Sequence, residues 1–306
     1  MNDSIRKLAA WAEAEGETVS VLLDEPMSRH TSFRIGGPAA LFLVPRTRGA
    51  FAAAVKKAVE TGTRFFLLGN GSNLLFDDAG YDGAVISTAA LDAVSLDGDL
   101  LTAEAGASFS SVCKAARDAS LTGLEFAYGI PGSVGGAVVM NAGAYGGEIR
   151  DVLEESLALD PATGEIRRLT LEEHAYGYRD SVYKHTNPAW VVLAASFRLR
   201  AGEREEITAK MNELAGRRVA KQPLEYPSAG SVFKRPEGHF VGQMVEESGL
   251  KGYRIGGAEV SEKHAGFIVN RGGATSHDVL ALVEHIRDVV KRNYSVDLEC
   301  EIIHVK

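Results

Sequence analysis

The first side chain that could do chemistry is an arginine placed between aromatic and acidic residues. Segment 176–181 reads YGYRDS, with Arg179 directly after Tyr178. A guanidinium binds a carboxylate through two parallel N–H donors, and the neighbouring rings could shield such a pair. The alternative is a surface loop in which Arg179 pairs with Asp180. The segment therefore predicts a carboxylate-binding arginine and leaves the simpler ion pair open.

A hydroxyl group beside two cations marks a second candidate segment. Segment 228–236 reads SAGSVFKRP, which places Ser231 before Lys234 and Arg235. A hydroxyl is a weak acid in water, so it donates a proton to a carbanion or enolate only when it is preorganised. The alternative is ordinary turn chemistry between prolines.

Two further titratable groups lie in the C-terminal third. Alternation in the closing segment LECEII places Glu299 and Glu301 on one face of a predicted strand. His264 has no second histidine three or four residues away, which favours a structural or substrate-side role over metal binding. The two cysteines lie far apart as Cys113 and Cys300, so neither a disulfide framework nor a metal site is expected.

Glycine-rich loops predict where an anionic cofactor binds. Segment 123–147 contains eight glycines in 25 residues among small and apolar neighbours, with Ser133 and Asn141 as side-chain donors. Buried loop N–H groups need acceptors, and a nucleotide diphosphate supplies them. The alternative is a tightly packed Gly/Ala turn without a ligand.

A second loop of this kind follows the apolar run 65–68 and reads GNGSN. Consecutive N–H groups after a strand can cradle an anion. The third glycine of the dinucleotide fingerprint is missing, and the chain has no P-loop sequence. The two loops together predict one large cofactor, bound by Gly69, Asn70, Gly71, Ser72, Asn73, Gly129, Ile130, Pro131, Gly132, Ser133, Gly135, Gly136, Asn141, Gly143 and Ala144.

The elements that position these residues can be predicted from hydrophobic spacing and capping residues. Helices are expected over residues 1–18, 47–60, 108–116, 203–221 and 276–290. Strands are expected over residues 40–44, 65–68, 84–87, 100–105, 152–159, 166–169, 191–199 and 296–305. The expected fold class is α+β, with a cofactor-binding region over 1–200, in lobes of about 1–90 and 91–200, and a smaller α/β domain over 201–306.

Bulk properties exclude several classes of protein. A net charge of −8 and a pI near 5.6 argue against a nucleic-acid-binding protein, which would show a basic domain or stripe. The N-terminal segment lacks the apolar stretch of a signal peptide, and no apolar run approaches the ~20 residues of a membrane span. We therefore expect a cytoplasmic protein without membrane partners.

Taken together, these motifs resemble the UDP-N-acetylenolpyruvoylglucosamine reductase family, also called the MurB family. The resemblance spans about residues 26–303 and rests on TSFRIGGPA at 31–39, LGNGSNLL at 68–75, GIPGSVGG at 129–136, NAGAYG at 141–146, YRDS at 178–181, AGSVFK at 229–234, and Glu301. The short distance between Arg179 and Ser231 is similar to that of the type II group. Ile303 stands where many members carry an arginine.

The resemblance implies a PCMH/vanillyl-alcohol-oxidase-type FAD-binding fold of two lobes followed by a substrate domain. It implies a monomer that uses non-covalent FAD and NADPH to reduce an enolpyruvyl ether of a UDP-sugar to UDP-N-acetylmuramate for peptidoglycan. Arg179 and Glu301 would polarise the substrate carboxylate, and Ser231 would deliver the proton. The expected substrate-binding residues are Tyr178, Lys221, Lys234, Arg235 and His264, with closure over the UDP from around Tyr253 or His239.

Two other functions remain open from the residues alone. A sugar or alcohol oxidase of the same flavin fold would share the glycine loops but would not need Ser231 with Arg179 and Glu301. A non-catalytic sugar-nucleotide-binding regulator would purify as a colourless protein, whereas bound FAD would make it yellow.

Overall fold

The computed structural model describes residues 1–186 and 189–306. Its α-helices are α1 (Asp3–Ala14), α2 (Arg48–Glu60), α3 (Phe109–Asp118), α4 (Val134–Val139), α5 (Arg204–Lys221), α6 (Val241–Glu247) and α7 (Ser276–Tyr294). Its strands are β1 (Val19–Pro26), β2 (Pro38–Pro45), β3 (Phe65–Leu68), β4 (Leu74–Phe76), β5 (Tyr81–Ser87), β6 (Val94–Asp97), β7 (Leu100–Glu104), β8 (Leu121–Thr122), β9 (Gly143–Ala144), β10 (Gly147–Glu148), β11 (Leu153–Leu159), β12 (Ile166–Thr170), β13 (Val191–Arg198), β14 (Arg200–Ala201), β15 (Arg254–Ile255), β16 (Ala258–Val260), β17 (Ile268–Asn270) and β18 (Ile303–Val305).

The chain divides into two compact units, each with its own apolar core. Unit 1 comprises residues 1–23, 41–70 and 82–217, and unit 2 comprises residues 24–40, 71–81 and 218–306. The sequence-based domains, 1–200 and 201–306, assign segments 24–40 and 71–81 to the N-terminal region instead. These two segments join unit 2 because Phe33, Ile35 and Leu75 are buried in its core.

Unit 1 is built on two sheets. One is a four-stranded sheet of order β1-β2-β5-β3, most of which lies in this unit, and the other is an antiparallel sheet of order β12-β11-β13-β7-β6. β3 pairs in parallel with β5 from Phe65 opposite Ala84 to Leu68 opposite Ser87. The Leu68 carbonyl also accepts the backbone N–H of Thr88 at 2.9 Å. This pairing fixes the point at which the chain leaves β3 and enters the predicted anion loop.

The short helix α4 carries the glycine-rich segment onto the second sheet. It packs against β13 and β7, and Val134 and Val138 are fully buried in the core of unit 1. Gly135 donates its N–H to the Ala105 carbonyl at 2.8 Å. A Cβ at position 135 would lie 3.0 Å from the Ala105 Cβ, so glycine permits this close approach.

Unit 2 is formed around α7. Its apolar residues at the predicted helical spacing (279, 282, 283, 286, 289 and 290) are all buried, and the helix packs against β15 and β16 of a three-stranded sheet. Two of the contacts that join segment 71–81 to this unit involve β4 and Asp78. β4 pairs in parallel with β18, and the Asp78 carboxylate accepts the backbone N–H of Ser276 at 2.8 Å at the start of α7.

The predicted helices and most of the predicted strands are confirmed. Asn2, Thr47 and Ser108 accept hydrogen bonds at the starts of α1, α2 and α3, as their residue types indicate. The final strand is wrong in extent, because regular pairing covers only Ile303–Val305 and not 296–305. Over the described residues, no helix combines the length and the apolar character needed to cross a bilayer.

We predict that Asp78→Ala lowers the free energy of unfolding by about 2 kcal/mol, the scale of hydrogen bonds to a charged group. The carboxylate accepts from the Ser276 N–H, the Ser276 hydroxyl and the His277 N–H, and it lies at the positive end of the α7 dipole. Chemical denaturation measures the change, with the exposed Asp82→Ala as control. Equal losses in the two variants would contradict this role for Asp78.

Candidate active site

The two predicted glycine loops meet within unit 1. A Cβ added at Gly69 would lie 2.4 Å from the Ser133 hydroxyl, which is closer than any real Cβ approaches a neighbour. Ser133 is itself buried and caps α4 by accepting the Gly136 N–H at 3.4 Å. The end of β3 and the start of α4 are therefore in direct contact, as a single anion-binding surface requires.

The backbone of these loops fits a diphosphate. Among the residues that the structure describes, the N–H groups of Gly69, Asn70 and Gly132 donate to no protein acceptor. Phosphate oxygens can accept from such groups, and the missing side chain at Gly69 leaves the backbone accessible. These features fit the diphosphate of FAD. The cofactor-binding residues remain a prediction at the level of individual side chains.

Arg179 lies at the tip of a tight turn in unit 1. Gly177 and Asp180 pair across the turn, with the Gly177 N–H donating to the Asp180 carbonyl at 3.1 Å. Arg179 has a left-handed backbone with φ of 56°, which is strained for a residue with a side chain. Its guanidinium lies 5.2 Å from the centre of the Tyr178 ring and donates to the Gly143 carbonyl at 3.2 Å.

Hydrogen bonds attach this turn to the glycine-rich segment. The Ser181 hydroxyl donates to the Val139 carbonyl at 2.7 Å, and Ser181 is fully buried. The Asn141 amide donates to the Gly177 carbonyl at 3.1 Å. Two predicted sites, the cofactor loop and the carboxylate-binding arginine, are thus one connected structure within unit 1.

A buried polar cluster supports the other side of the turn. His174 is completely buried, and its Nδ1 lies 2.6 Å from the Thr170 carbonyl, which can only accept. The Nδ1 therefore carries the hydrogen, and Nε2 accepts from the Ser156 hydroxyl at 2.7 Å. The Tyr183 hydroxyl in turn donates to Ser156 at 2.6 Å. Burial lowers the pKa of His174, which favours the neutral ring. The hydrogen bonds then run in one direction, from Tyr183 to Ser156 to His174.

Tyr176 lies beside this cluster but does not join its hydrogen bonds. Its ring stacks on His174 with a centroid separation of 5.0 Å. Its hydroxyl oxygen is buried and has no hydrogen-bond partner among the described residues. Burial raises the pKa of Tyr176, which keeps the phenol neutral. A buried hydroxyl without a partner destabilises the fold.

Ser231 and Glu301 lie on neighbouring stretches of backbone in unit 2. Phe233 pairs with Cys300 in an antiparallel bridge, and the Glu301 N–H donates to the Val232 carbonyl at 2.8 Å. Ser231 is exposed, and Glu301 is partly exposed. The Asn73 amide, predicted to bind the cofactor, donates to the Glu301 carbonyl at 3.0 Å. Unit 2 therefore brings together two of the three predicted catalytic residues.

Four of the five predicted substrate-binding residues lie in unit 2, and Tyr178 lies in unit 1. Lys234 forms an ion pair with Glu299 at 2.5 Å, and the Arg235 guanidinium lies 3.9 Å from the centre of the Phe240 ring. The Nδ1 of His264 accepts the Gly266 N–H at 3.1 Å. Burial lowers the pKa of His264, and the positive charges of Lys251 and Lys221 lower it further.

Sequence reasoning missed the groups that support the Arg179 turn. Ser156, His174 and Tyr183 are separated in sequence, and strand β11 shows only a common alternation around Ser156. Glu148, which accepts from Asn141 at 2.8 Å, gives no sequence signal either. Only the pairing of the strands brings these residues to one place.

Comparison with known proteins identifies the family of the chain. Residues 39–170 match an FAD binding domain, and residues 222–305 match the C-terminal domain of UDP-N-acetylenolpyruvoylglucosamine reductase. Relatives of the latter name from Clostridium perfringens and Caldanaerobacter subterraneus are 46% and 50% identical, and each alignment covers 92% of both chains. The chain belongs to the UDP-N-acetylenolpyruvoylglucosamine reductase family.

A solved structure supports the same fold for this family member. The reductase (MurB) from Thermus caldophilus superposes with a TM-score of 0.80 at 36% identity, covering 94% of this chain and 99% of the other. The predicted α+β class with an FAD-binding fold is confirmed. The protein is an FAD-dependent oxidoreductase.

We predict opposite effects for two tyrosine substitutions beside His174. Tyr176→Phe removes a buried hydroxyl without a partner, so stability should stay the same or increase. Tyr183→Phe removes the donor to Ser156 and should lower the free energy of unfolding by about 1 kcal/mol. Denaturant unfolding compares the two variants, which serve as controls for each other. A loss in Tyr176→Phe equal to that in Tyr183→Phe would contradict the assigned hydrogen bonds.

Proposed function

We propose that this protein reduces the enolpyruvyl ether of UDP-N-acetylenolpyruvoylglucosamine to UDP-N-acetylmuramate with electrons from NADPH, in the synthesis of peptidoglycan precursors. The observation that supports the proposal is the pairing of segment 232–234 with 299–301, which joins the stretches of backbone that carry Ser231 and Glu301. The region containing both matches the C-terminal domain of the reductase family. Small molecules are therefore the substrates.

The reaction adds a hydride and a proton across a carbon–carbon double bond conjugated to a carboxylate. FAD, when bound, supplies the hydride-transfer chemistry. Negative charge then develops on the carboxylate side of the substrate. Arg179 meets this charge through its planar pair of N–H donors, and its strained turn holds the side chain in place before the charge forms.

Ser231 completes the reduction by giving a proton to the enolate carbon. Its backbone is fixed by pairing with Phe267, and the next residue, Val232, donates to the Gly266 carbonyl at 3.0 Å. Glu301 hydrogen-bonds the substrate carboxylate or a water beside it. Tyr178, Lys221, Lys234, Arg235 and His264 bind the remainder of the UDP-sugar. The enzyme acts as a cytoplasmic monomer without nucleic-acid or membrane partners and serves cell-wall synthesis, and so cell shape and division.

A sugar or alcohol oxidase of the same flavin fold is the alternative. Such an enzyme would pass electrons to oxygen and would not need Ser231 together with Arg179 and Glu301. Anaerobic reduction by NADPH followed by exposure to air or to the enolpyruvyl substrate distinguishes the two activities.

We predict that Ser231→Ala retains FAD and is reduced by NADPH at the wild-type rate. Reoxidation by the enolpyruvyl substrate should fall by about 10²-fold or more, the scale of general-acid catalysis. Stopped-flow absorbance of the flavin measures both steps, with Ser228→Ala on the same loop as control. Normal turnover of Ser231→Ala would remove this hydroxyl from the mechanism.

We also predict that Gly69→Ala weakens FAD binding by about tenfold or more, since overpacking of this kind costs about 1–3 kcal/mol. The added Cβ would collide with the Ser133 hydroxyl. The double variant Gly69→Ala/Ser133→Gly should recover part of the affinity, because it removes the colliding atoms. Gly49→Ala on α2 is the control, as its Cβ would only touch Thr47 at 3.9 Å. Titration of the apoprotein with FAD measures the affinities, and wild-type affinity in Gly69→Ala would argue against this cofactor surface.

A further inference from the structure

We propose that Asn141 is a positioning residue for Arg179 and that its side chain fixes the 177–180 turn instead of binding FAD. The inference rests on the proposed function, in which Arg179 binds the substrate carboxylate. Asn141 belongs to the glycine-rich segment and is completely buried. Its position in that segment led to its prediction as a cofactor ligand, but its contacts lead to the turn.

Both hydrogens of the Asn141 amide are used by protein atoms. Its two hydrogens go to Glu148 Oε2 at 2.8 Å and to the Gly177 carbonyl at 3.1 Å. Its oxygen accepts the Arg150 N–H at 3.1 Å. An amide has two hydrogens to donate, so no donor is left for a phosphate or a flavin ring.

The hydrogen bond to Gly177 acts on Arg179 because both residues belong to the same four-residue turn. Gly177 pairs with Asp180, and Arg179 lies between them with its strained φ of 56°. A strained residue keeps its conformation only where its surroundings over-determine it. Asn141 holds one side of the turn, and the Ser181 hydroxyl holds the other through the Val139 carbonyl at 2.7 Å.

The Arg179 guanidinium also contacts the glycine-rich segment that contains Asn141. Arg179 donates to the Gly143 carbonyl at 3.2 Å, two residues beyond Asn141. Asn141 also has a left-handed backbone, with φ of 42°. Its conformation and its side chain therefore set the position of residues 139–143 and of residues 177–181 together. Displacement of the turn by about 1 Å would misplace the Arg179 guanidinium, which meets the developing charge. The reaction rate would then fall by up to about 10²-fold.

The side-chain nitrogen of Asn141 faces two acceptors, Glu148 and the Gly177 carbonyl, so this position needs a donor. The charged groups around it are Glu148, Arg150 and Asp151 on one side and Arg179 on the other. In Asn141→Asp, a carboxylate would replace the amide donor and face both Glu148 and the Gly177 carbonyl. Protonation of the new carboxyl restores a donor, so this isosteric variant makes the contact depend on pH.

The experiment compares Asn141→Ala and Asn141→Asp in the FAD-loaded protein. In both variants we expect FAD to stay bound and NADPH reduction to stay close to wild type. Reoxidation by the enolpyruvyl substrate should slow by about tenfold or more. In Asn141→Asp the defect should shrink as the pH falls, whereas in Asn141→Ala it should not change with pH.

Hydrogen–deuterium exchange provides a measurement that does not depend on activity. Amides of residues 177–186 should exchange faster in Asn141→Ala than in wild type. The control is Asn270→Ala in unit 2, which also loses three side-chain hydrogen bonds, to the Phe33 carbonyl and from the Gly272 and Ala274 N–H groups. Asn270→Ala should leave hydrogen–deuterium exchange in 177–186 unchanged. Its rate of reoxidation by the substrate should not recover at low pH.

Three results would overturn the proposal. They are wild-type exchange of 177–186 in Asn141→Ala, loss of FAD with normal reoxidation of the protein that retains it, and a pH-independent defect in Asn141→Asp. The variant Arg179→Lys distinguishes failure of the Asn141 proposal from failure of the proposed function. If Arg179→Lys reoxidises normally with substrate, the role of Arg179 is wrong, while the exchange result still decides whether Asn141 fixes the turn.

Discussion

Backbone that is irregular and buried must have its N–H and C=O groups satisfied, and this requirement governs the whole candidate site. The regular elements of the glycine-rich segment, helix α4 and the β9–β10 pair, are short and do not satisfy all of its backbone groups. Its carbonyls at Val139 and Gly143 accept instead from Ser181 and Arg179. The turn that carries Arg179 is satisfied in return by Asn141. Each loop therefore supplies the hydrogen-bonding partners of the other, and neither conformation would persist alone.

The same constraint explains how unit 2 presents Ser231 and Glu301. The two segments that carry them are too short for a regular sheet, but they pair with each other around Phe233 and Cys300. Phe233 is buried in the core built around α7. The core thereby fixes the backbone, while Ser231 stays exposed. Rigid backbone with an accessible hydroxyl is the arrangement that general-acid catalysis needs.

Much of the fold and part of the site could be predicted from the sequence. The helices followed from apolar spacing and caps such as Thr47, since both signals are local. The glycine loops followed from composition, and they meet at Gly69 and Ser133. The division into units differed, because the burial of Phe33 and Leu75 beside α7 depends on contacts distant in sequence. The composition of its segment predicts Asn141 as a cofactor ligand, whereas its hydrogen-bond partner Gly177 lies in another loop. The Ser156–His174–Tyr183 cluster left no trace in the sequence for the same reason.

The proposed function requires that the electrons from NADPH leave FAD for a carbon–carbon double bond. The most direct measurement starts from the purified protein reduced by NADPH without oxygen. Portions are then mixed with UDP-N-acetylenolpyruvoylglucosamine or with air-saturated buffer, and the flavin absorbance is followed. The account predicts fast reoxidation by the sugar nucleotide with formation of one lactyl ether per NADPH consumed, and slower reoxidation by oxygen. Fast reoxidation by oxygen alone, with the sugar nucleotide unchanged, would contradict it.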